Sequence, residues 1–544
     1  MVSRSGRQAI IKAKTIKTMM KLSRTLLLAT TLVCTAAHGQ LAQNLTVGSA
    51  KALSLGNAVT ADTPGIDSIH YNPAGLYKIK GRQYQLKVIA GQFTITGDVE
   101  RSERYNQLME QYGYTYSDDP VEEGASSTQD VSVMLPFFGL TEIPVLLAPL
   151  GGAAVEIRDR NLVVGSSVFA PMIVGYQRGE DSPLRYQGNE LGLTHLTYFS
   201  PTIAFPISDE LTFGVGLHFN YTGVGIDLDF RLPNAILVGV DSFSGLLCDV
   251  PEIGNVVNLC DGDLGPFTDI GNIQVEVESY LNPSFNLGFL WEPNDWFTMG
   301  IVYQSGASRT LKGEYEITYG DDWLGFFSGL NGTVVGDAVT GFLALPKGVE
   351  KETGEASLEF TVPQHFATGI SVKVMPDWKV NLDLKWTDTA KWDEFKLEFE
   401  NPPEFLPVLS FLAPEQVSAT TLAFPREYES VWSWALGIEH QYDNRLALRL
   451  GYEDRGNSIP NDKADYLAPF GDAYLLGAGF SYVLKQGALL EMGVGMLVSE
   501  NSAPDNTSSN VNDYNQLIYN PYAGVNAKTE VRAYLLELSY HARF

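Results

Sequence analysis

The segment "LTFGVGLHFNYT" alternates without a break. Leu211, Phe213, Val215, Leu217, Phe219 and Tyr221 form one face, and Thr212, Gly214, Gly216, His218, Asn220 and Thr222 the other. A period of two sends successive side chains to opposite faces of a β-strand. The pattern returns in "VNLDLKW", "RLALRLGYE" and "ALLEMGVGM". One such strand suits a soluble sandwich, with its apolar face in a core. It equally suits a membrane barrel, with its apolar face in lipid and its small or polar face toward the lumen.

The connections separate these two folds. Segments that read as strands are 82–100, 126–138, 161–176, 190–207, 209–230, 275–291, 296–319, 355–375, 378–400, 428–442, 445–459, 472–484, 488–501 and 528–544. They number fourteen, an even count. The links "ISDE", "EPND", "PDWK", "YDNR" and "KQGA" are short, whereas those near 101–125, 231–274, 320–354, 401–427 and 502–527 are long. Short turns at one end and long loops at the other are the mark of an outer-membrane barrel, and a sandwich has no reason to sort its loops this way. The link 139–160 is an exception, being long at the short end. Trp291, Trp296, Trp378 and Tyr442 flank the short turns, where a lipid–water interface favours amphipathic rings. The chain closes on "VRAYLLELSYHARF", which places Tyr534, Leu536, Leu538, Tyr540, Ala542 and Phe544 on one face. The fold class is therefore all-β: a 14-stranded antiparallel transmembrane barrel.

The front of the chain is a leader. From Met20, Lys21 and Arg24 precede the apolar run "TLLLATTLV" and a small-residue site, "AHG", before Gln40. That is the layout of a secretory signal with cleavage before Gln40, and the apolar run is too short for a spanning helix. Residues 1–19 read as an over-called start. The leader through Gly39 holds seven of the 37 basic residues and none of the 64 acidic ones, so the mature chain carries −34. Such a balance excludes nucleic acid as a partner, since phosphate binding needs a basic surface. Two cysteines remain, Cys248 and Cys260 in "CDVPEIGNVVNLC"; an exported chain with one close pair points to a loop disulfide, and neither has a histidine nearby to suggest a metal. No G-x-S-x-G, H-E-x-x-H or other known catalytic constellation is found, which argues against a lipase or protease. No cofactor or metal is expected.

Taken in order, "GNAVTADTPGIDSIHYNPAGL", "NLVVGSSVFAP", "NLGFLWEPNDWFTMGIVYQSGASRTLKGEYEI", "VNLDLKWTDTAKWDEFKLEF" and the run from "WALGIEHQYDNRLALRLGYEDRG" to "SYVL" resemble the FadL family of outer-membrane long-chain fatty-acid and hydrophobic-compound transporters. The resemblance covers nearly all of the mature chain. Where the family often has paired acids, "ADTPG" keeps only Asp62. The resemblance implies an N-terminal hatch inside the barrel, so the expected division is 1–39 signal peptide, 40–80 hatch and 81–544 barrel. Asn72, Pro73 and Ala74 then form the turn that leaves the hatch: Pro73 fixes its own backbone angle and pushes Asn72 toward extended geometry. The implied function is import of hydrophobic compounds, long-chain fatty acids foremost, by capture at the loops, hatch movement and lateral release. Uptake of aromatic hydrocarbons or alkanes, or a secretion-associated barrel that handles protein, are the alternatives. The expected partners are hydrophobic small molecules and outer-membrane lipid, with the barrel working as a monomer.

Residues can be assigned to that route. The long loops are oddly apolar, and apolar loop surface marks a binding site; Leu246, Leu247, Leu324, Phe326, Phe327, Phe342 and Leu343 are the expected ligand groove. Strand parity points His218, Lys385 and Arg449 into the lumen, where a cation could meet a carboxylate, or pair instead with the inward acids Asp383, Glu453, Glu491 and Glu537. In the third strand Pro171 cannot donate a ladder hydrogen bond, so it calls for a bulge or an edge. The family has a kink and lateral opening in that strand, which makes Ala170, Pro171 and Met172 the expected gate.

Overall fold

The structure is a computed structural model that describes residues 44–113, 119, 121, 124–128, 130–232, 234–248, 258–343, 345–412, 414–485, 487–514 and 522–544. The expected signal peptide lies outside the described residues.

Fourteen strands form the wall. They are β1 (Arg82–Arg101), β2 (Gly124–Ser127 and Leu146–Ile157), β3 (Leu162–Gln177), β4 (Glu190–Phe199 and Thr202–Pro206) and β5 (Leu211–Phe230). Next come β6 (Gly271–Asn294), β7 (Phe297–Gln304 and Ala307–Tyr319), β8 (Lys351–Val362 and His365–Met375) and β9 (Trp378–Thr387 and Glu394–Phe399). The last are β10 (Thr421–Pro425 and Val431–Gln441), β11 (Leu446–Arg455), β12 (Asp472–Val483), β13 (Leu489–Ala503) and β14 (Val525–Arg543). Each pairs antiparallel with its neighbours in sequence, and β1 pairs with β14 from Gln83↔Arg543 to Arg101↔Val525. The sheet thus closes on itself, which removes the unpaired edges that lipid does not tolerate.

One strand differs from its sequence reading. The second was expected at 126–138; in the structure Val131–Leu135 and Gly139–Ile143 pair with each other as a separate hairpin, and β2 resumes at Leu146. The alternation of "VSVML" is a genuine strand signal, but it belongs to this hairpin. The wall segment "LLAPLGGAAVEI" hides its alternation behind Pro149, Gly151 and Gly152. With β2 reassigned, the turn into β3 is the short Arg158–Arg160, and the exceptional long link at the short-turn end disappears.

Trp291, Trp296, Trp378 and Tyr442 are all exposed beside the short turns. Toward the long-loop end the outer face of β10 reaches Trp432 and that of β12 reaches Tyr474, both well exposed. The apolar band between these rings is the lipid-facing belt of a membrane barrel. The long loops carry helices: α3 (Asn234–Cys248), α4 (Asp321–Asn331), α5 (Val334–Leu343) and α6 (Phe405–Leu412), preceded in the chain by α1 (Ala50–Ser54) and α2 (Ser68–Tyr71) of the N-terminal segment.

That segment, from Asn44 to Ile79, is buried almost throughout, although it is built from short helical turns that could not stand alone. Its burial comes from the inner barrel wall. At Gly214 of β5 an added Cβ would lie 2.2 Å from the Pro73 carbonyl carbon, so only glycine lets the chain pass there. Asn72 is extended (φ −163°, ψ 103°) and its side-chain oxygen accepts from the Ala74 N–H, opening the 3-10 turn Pro73–Lys78.

Candidate functional site

The face that β5 turns inward changes character along its length. Near the short turns the inward residues are Thr212, Gly214, Gly216, His218 and Asn220; beyond Thr222 they are Val224, Ile226, Leu228 and Phe230. No bulge shifts β5 itself, so the apolar phase moves from odd to even positions. In β6 a register shift between Ser279 and Asn282 does the same work, turning Val277, Val275 and Ile273 inward. The upper lumen therefore holds an apolar cavity of about 250 Å³. Trp323 of α4 and Phe405 of α6 cover it, and Met172, Val224 and Val277 lie at its lower end. Its two lining arginines are both bonded to buried carboxylates, Arg231 to Asp119 at 2.8 Å and Arg426 to Asp465.

Below the cavity the N-terminal segment is fastened to the wall by polar side chains. Asn286 donates to the Ile69 carbonyl at 2.6 Å, Gln304 to the His70 carbonyl at 2.7 Å, and Asn72 to the carbonyls of Thr60 and Phe289. Thr60 N–H donates to Asp383, and Asn57 to Glu453. Asp67 meets Lys87 of β1 at 2.6 Å, and Asp62 lies between Lys51 and Lys379 at 2.9 and 2.7 Å. Burial works to raise the Asp62 pKa, but the Lys379 and Lys51 ammonium groups prevail and hold the carboxyl well below its ordinary value. Burial, helped by nearby His218, His365 and Lys87, keeps His70 well below the usual imidazole value; its Nε2 lies 2.7 Å from the Asn44 side-chain oxygen.

Beside the lower end of the cavity the wall ladder is interrupted. Described pairs between β1 and β2 stop at Gly91↔Leu146 and resume at Thr96↔Ser127. Those between β2 and β3 end at Gly151↔Val168, and only the bridge Asp130↔Gln177 rejoins β3 higher up. On its other side β3 has a register shift toward β4 between Phe169 and Met172. Ala170 and Pro171 sit in that shift, and their carbonyls accept from the Thr46 hydroxyl (2.9 Å) and the Asn44 N–H (2.8 Å) of the N-terminal segment.

The remaining expected residues fall as follows. Lys385 pairs with Glu453 at 2.8 Å, and Arg449 with Glu439 at 2.6 Å and Glu491 at 3.0 Å; His218 is buried edge-on to Phe169. The lumen cations are thus engaged with wall acids, low in the barrel and away from the cavity. Phe327 is buried in the cluster that surrounds the cavity, and Leu324 and Phe326 pack against it. Leu246 does not join them: it is 68% exposed, while Leu237 of the same helix is fully buried. Nine residues separate the two, two and a half helical turns, so they face opposite ways. The side chains of Leu247, Phe342 and Leu343 lie outside the described residues. Cys248 and Cys260 are joined by a disulfide. The cavity lining that sequence reasoning missed, Leu191, Leu193, Val224, Ile226 and Leu228, had a signal: the phase reversal in "NYTGVGIDLDF".

The sequence and the fold are similar to those of known proteins. The family described as "Outer membrane protein transport protein (OMPP1/FadL/TodX)" matches residues 26–544. A long-chain fatty acid transport protein of Escherichia coli O6:H1 is 22% identical over 210 residues; the match takes in 38% of this chain and only 40% of that relative's length. Among solved structures, a Pseudomonas aeruginosa FadL homologue superposes with a TM-score of 0.65 at 17% identity, covering 94% of this chain and all of that one. The Pseudomonas putida toluene transporter TodX gives 0.57 at 14% identity, covering 94% and 99%.

Proposed function

The chain belongs to the FadL/TodX family of outer-membrane transport proteins, and from that membership we propose that it imports hydrophobic compounds, with long-chain fatty acids as the foremost cargo. The family is one of transporters rather than enzymes, and its place is the bacterial outer membrane. The observation that carries the proposal is the apolar cavity, roofed by loop helices and ending beside the interrupted wall at Met172. An apolar concave site desolvates a hydrocarbon chain, which contributes about 0.8 kcal/mol per buried CH₂. The barrel works as a monomer in outer-membrane lipid. Cargo enters the cavity, the N-terminal hatch shifts its hold on the Ala170 and Pro171 carbonyls, and release is lateral through the wall near Ala170, Pro171 and Met172.

A second reading is an uncharged cargo, an aromatic hydrocarbon or an alkane. It is favoured by the two lining arginines, each already neutralised by a buried aspartate. Native mass spectrometry of molecules retained on the purified barrel, followed by uptake of radiolabelled oleate and toluene by cells carrying it, tests both. Oleate retention and uptake support the first reading, and toluene alone the second. A barrel that retains and imports neither compound overturns the proposal.

A further inference from the structure

Between the pairs Thr96↔Ser127 and Gly91↔Leu146, β1 has four residues and β2 has eighteen. The surplus holds the hairpin Val131–Leu135 and Gly139–Ile143, and it lies against the outside of the barrel. An added Cβ on outward-facing Gly175 of β3 would lie 1.8 Å from the Ser132 carbonyl oxygen, and the Leu140 side chain covers Gly225 of β5. Val131 and Val133 share one buried cluster with Ala170 and Ile173 of β3. The hairpin therefore covers, from outside, the same stretch of β3 that Asn44 and Thr46 hold from inside.

Phe93 of β1 stands at the interruption itself. It packs both on the apolar cluster around the cavity and on the cluster beneath the hairpin. Phe93 pairs with Ala533 of β14 but has no described ladder pair on its β2 side, so there side-chain packing rather than backbone hydrogen bonding divides the two spaces. The hairpin's described hydrogen bonds to the strands under it are few: Ser132 to Glu190, Phe137 N–H to the Tyr280 hydroxyl and Leu140 N–H to Glu276. Parting β3 from β4 would instead break a ladder. At the hairpin tip Phe137 and Phe138 are 84% and 79% exposed, and Phe137 stacks on Tyr280 at 5.0 Å. Exposed rings joined to a tyrosine on the outer wall suit the acyl chains and interface of a membrane.

We propose that this hairpin is the outer leaf of the exit and that Phe93 is its door. Cargo swings Phe93 aside, passes between the hairpin and the outer face of β3–β5, and meets lipid at the Phe137–Phe138 tip. The inference rests on the lateral release proposed above.

A double substitution, Leu140→Cys with Gly225→Cys, tests it. An added Cβ on Gly225 lies 3.1 Å from the Leu140 Cβ, a small shift short of the usual disulfide range of about 3.5–4.5 Å. The oxidised barrel should import radiolabelled oleate at least about ten-fold more slowly than the same barrel reduced. Quenching of the cavity residues Trp323 and Trp392 by oleate should not change, and wild type in reductant controls for Cys248–Cys260. A companion variant replaces residues 129–145 by Thr-Val-Thr, which with Thr128 gives four residues opposite 92–95 and seals the ladder. Heat-dependent electrophoretic mobility verifies that each barrel is folded. Loss of uptake in both supports the proposal. Normal uptake by the linked barrel with loss in the sealed one overturns the hairpin's role and leaves lateral release standing. Normal uptake by the sealed barrel overturns both. Phe93→Trp, which keeps the door but enlarges it, should slow uptake several-fold, and an unchanged rate removes Phe93 from the route.

Discussion

Lys87→Met isolates one clasp of the hatch. Lys87 of β1 and Asp67 of the N-terminal segment meet at 2.6 Å with side chains only 1% and 2% exposed, and Lys87 also donates to the Val47 carbonyl at 3.1 Å. Methionine keeps the length and removes the charge, leaving the Asp67 carboxylate buried with one remaining donor, the Gln85 amide at 2.8 Å. Stranding one member of a buried pair costs about 3–5 kcal/mol, and the surviving hydrogen bond places this case near 3. At about 1.4 kcal/mol per ten-fold, the undocked hatch should become about 100-fold more populated. A fully buried reporter, Ser68→Cys, reads that population through the rate of maleimide labelling when opening is faster than modification. Labelling should accelerate about 100-fold in Lys87→Met. It should return to within about ten-fold of the parent in Lys87→Met with Asp67→Asn, which removes both charges and keeps an acceptor for Gln85. Acceleration below about three-fold, or a double variant as fast as the single one, would show that this pair does not clasp the hatch.

Three further outcomes are expected. His70 is held below 6.5 by burial, so it stays neutral when docked while the undocked state takes up a proton first; hatch docking should weaken as pH falls below 6.5, and labelling of Ser68→Cys at pH 5, taken relative to an exposed thiol at the same pH, should rise more with His70 present than with His70→Gln added. Cys248 and Cys260 should resist thiol labelling on native cells without reductant, and Cys248→Ser should destabilise its loop by about 2–4 kcal/mol, seen as faster loop proteolysis. Ile226→Asp places an unpaired carboxylate in the apolar cavity and should weaken oleate quenching of tryptophan at least about ten-fold while heat-dependent mobility stays unchanged.

Barrel architecture was legible because the lipid face and the loop-length rule leave a mark on every hairpin. Strand β2 was not, because Pro149, Gly151 and Gly152 blur its alternation while the hairpin supplies a cleaner one. The cavity was displaced in the sequence reading for a related reason. Apolar loops such as "NAILVGVDSFSGLLCDV" attract notice, yet helix phase turns Leu246 to solvent, while the wall residues Val224, Ile226 and Leu228 carry the lining. The lumen charges were readable as inward from parity alone. The inward acids were legible as a group, but which acid each cation meets was not readable, since Lys385 and Glu453 lie 68 residues apart in sequence.

The height of the wall interruption carries a consequence of its own. Through the pairing register, Phe169 and Met172 of β3 stand level with Asn220 and Thr222 of β5, about ten residues above the short turn at Leu211. At about 3.3 Å per residue and a tilt near 40°, that is roughly 25 Å, the full height of the apolar belt. The lateral exit proposed there would deliver cargo to the outer leaflet, beside the exposed rings of Tyr198 and Tyr280. An amphiphile arriving at that depth can leave its head group at the interface and lay its tail among the acyl chains, so its charge never crosses the hydrocarbon within the barrel. Crossing to the inner leaflet then becomes a separate event, governed by the membrane and by the protonation of the cargo.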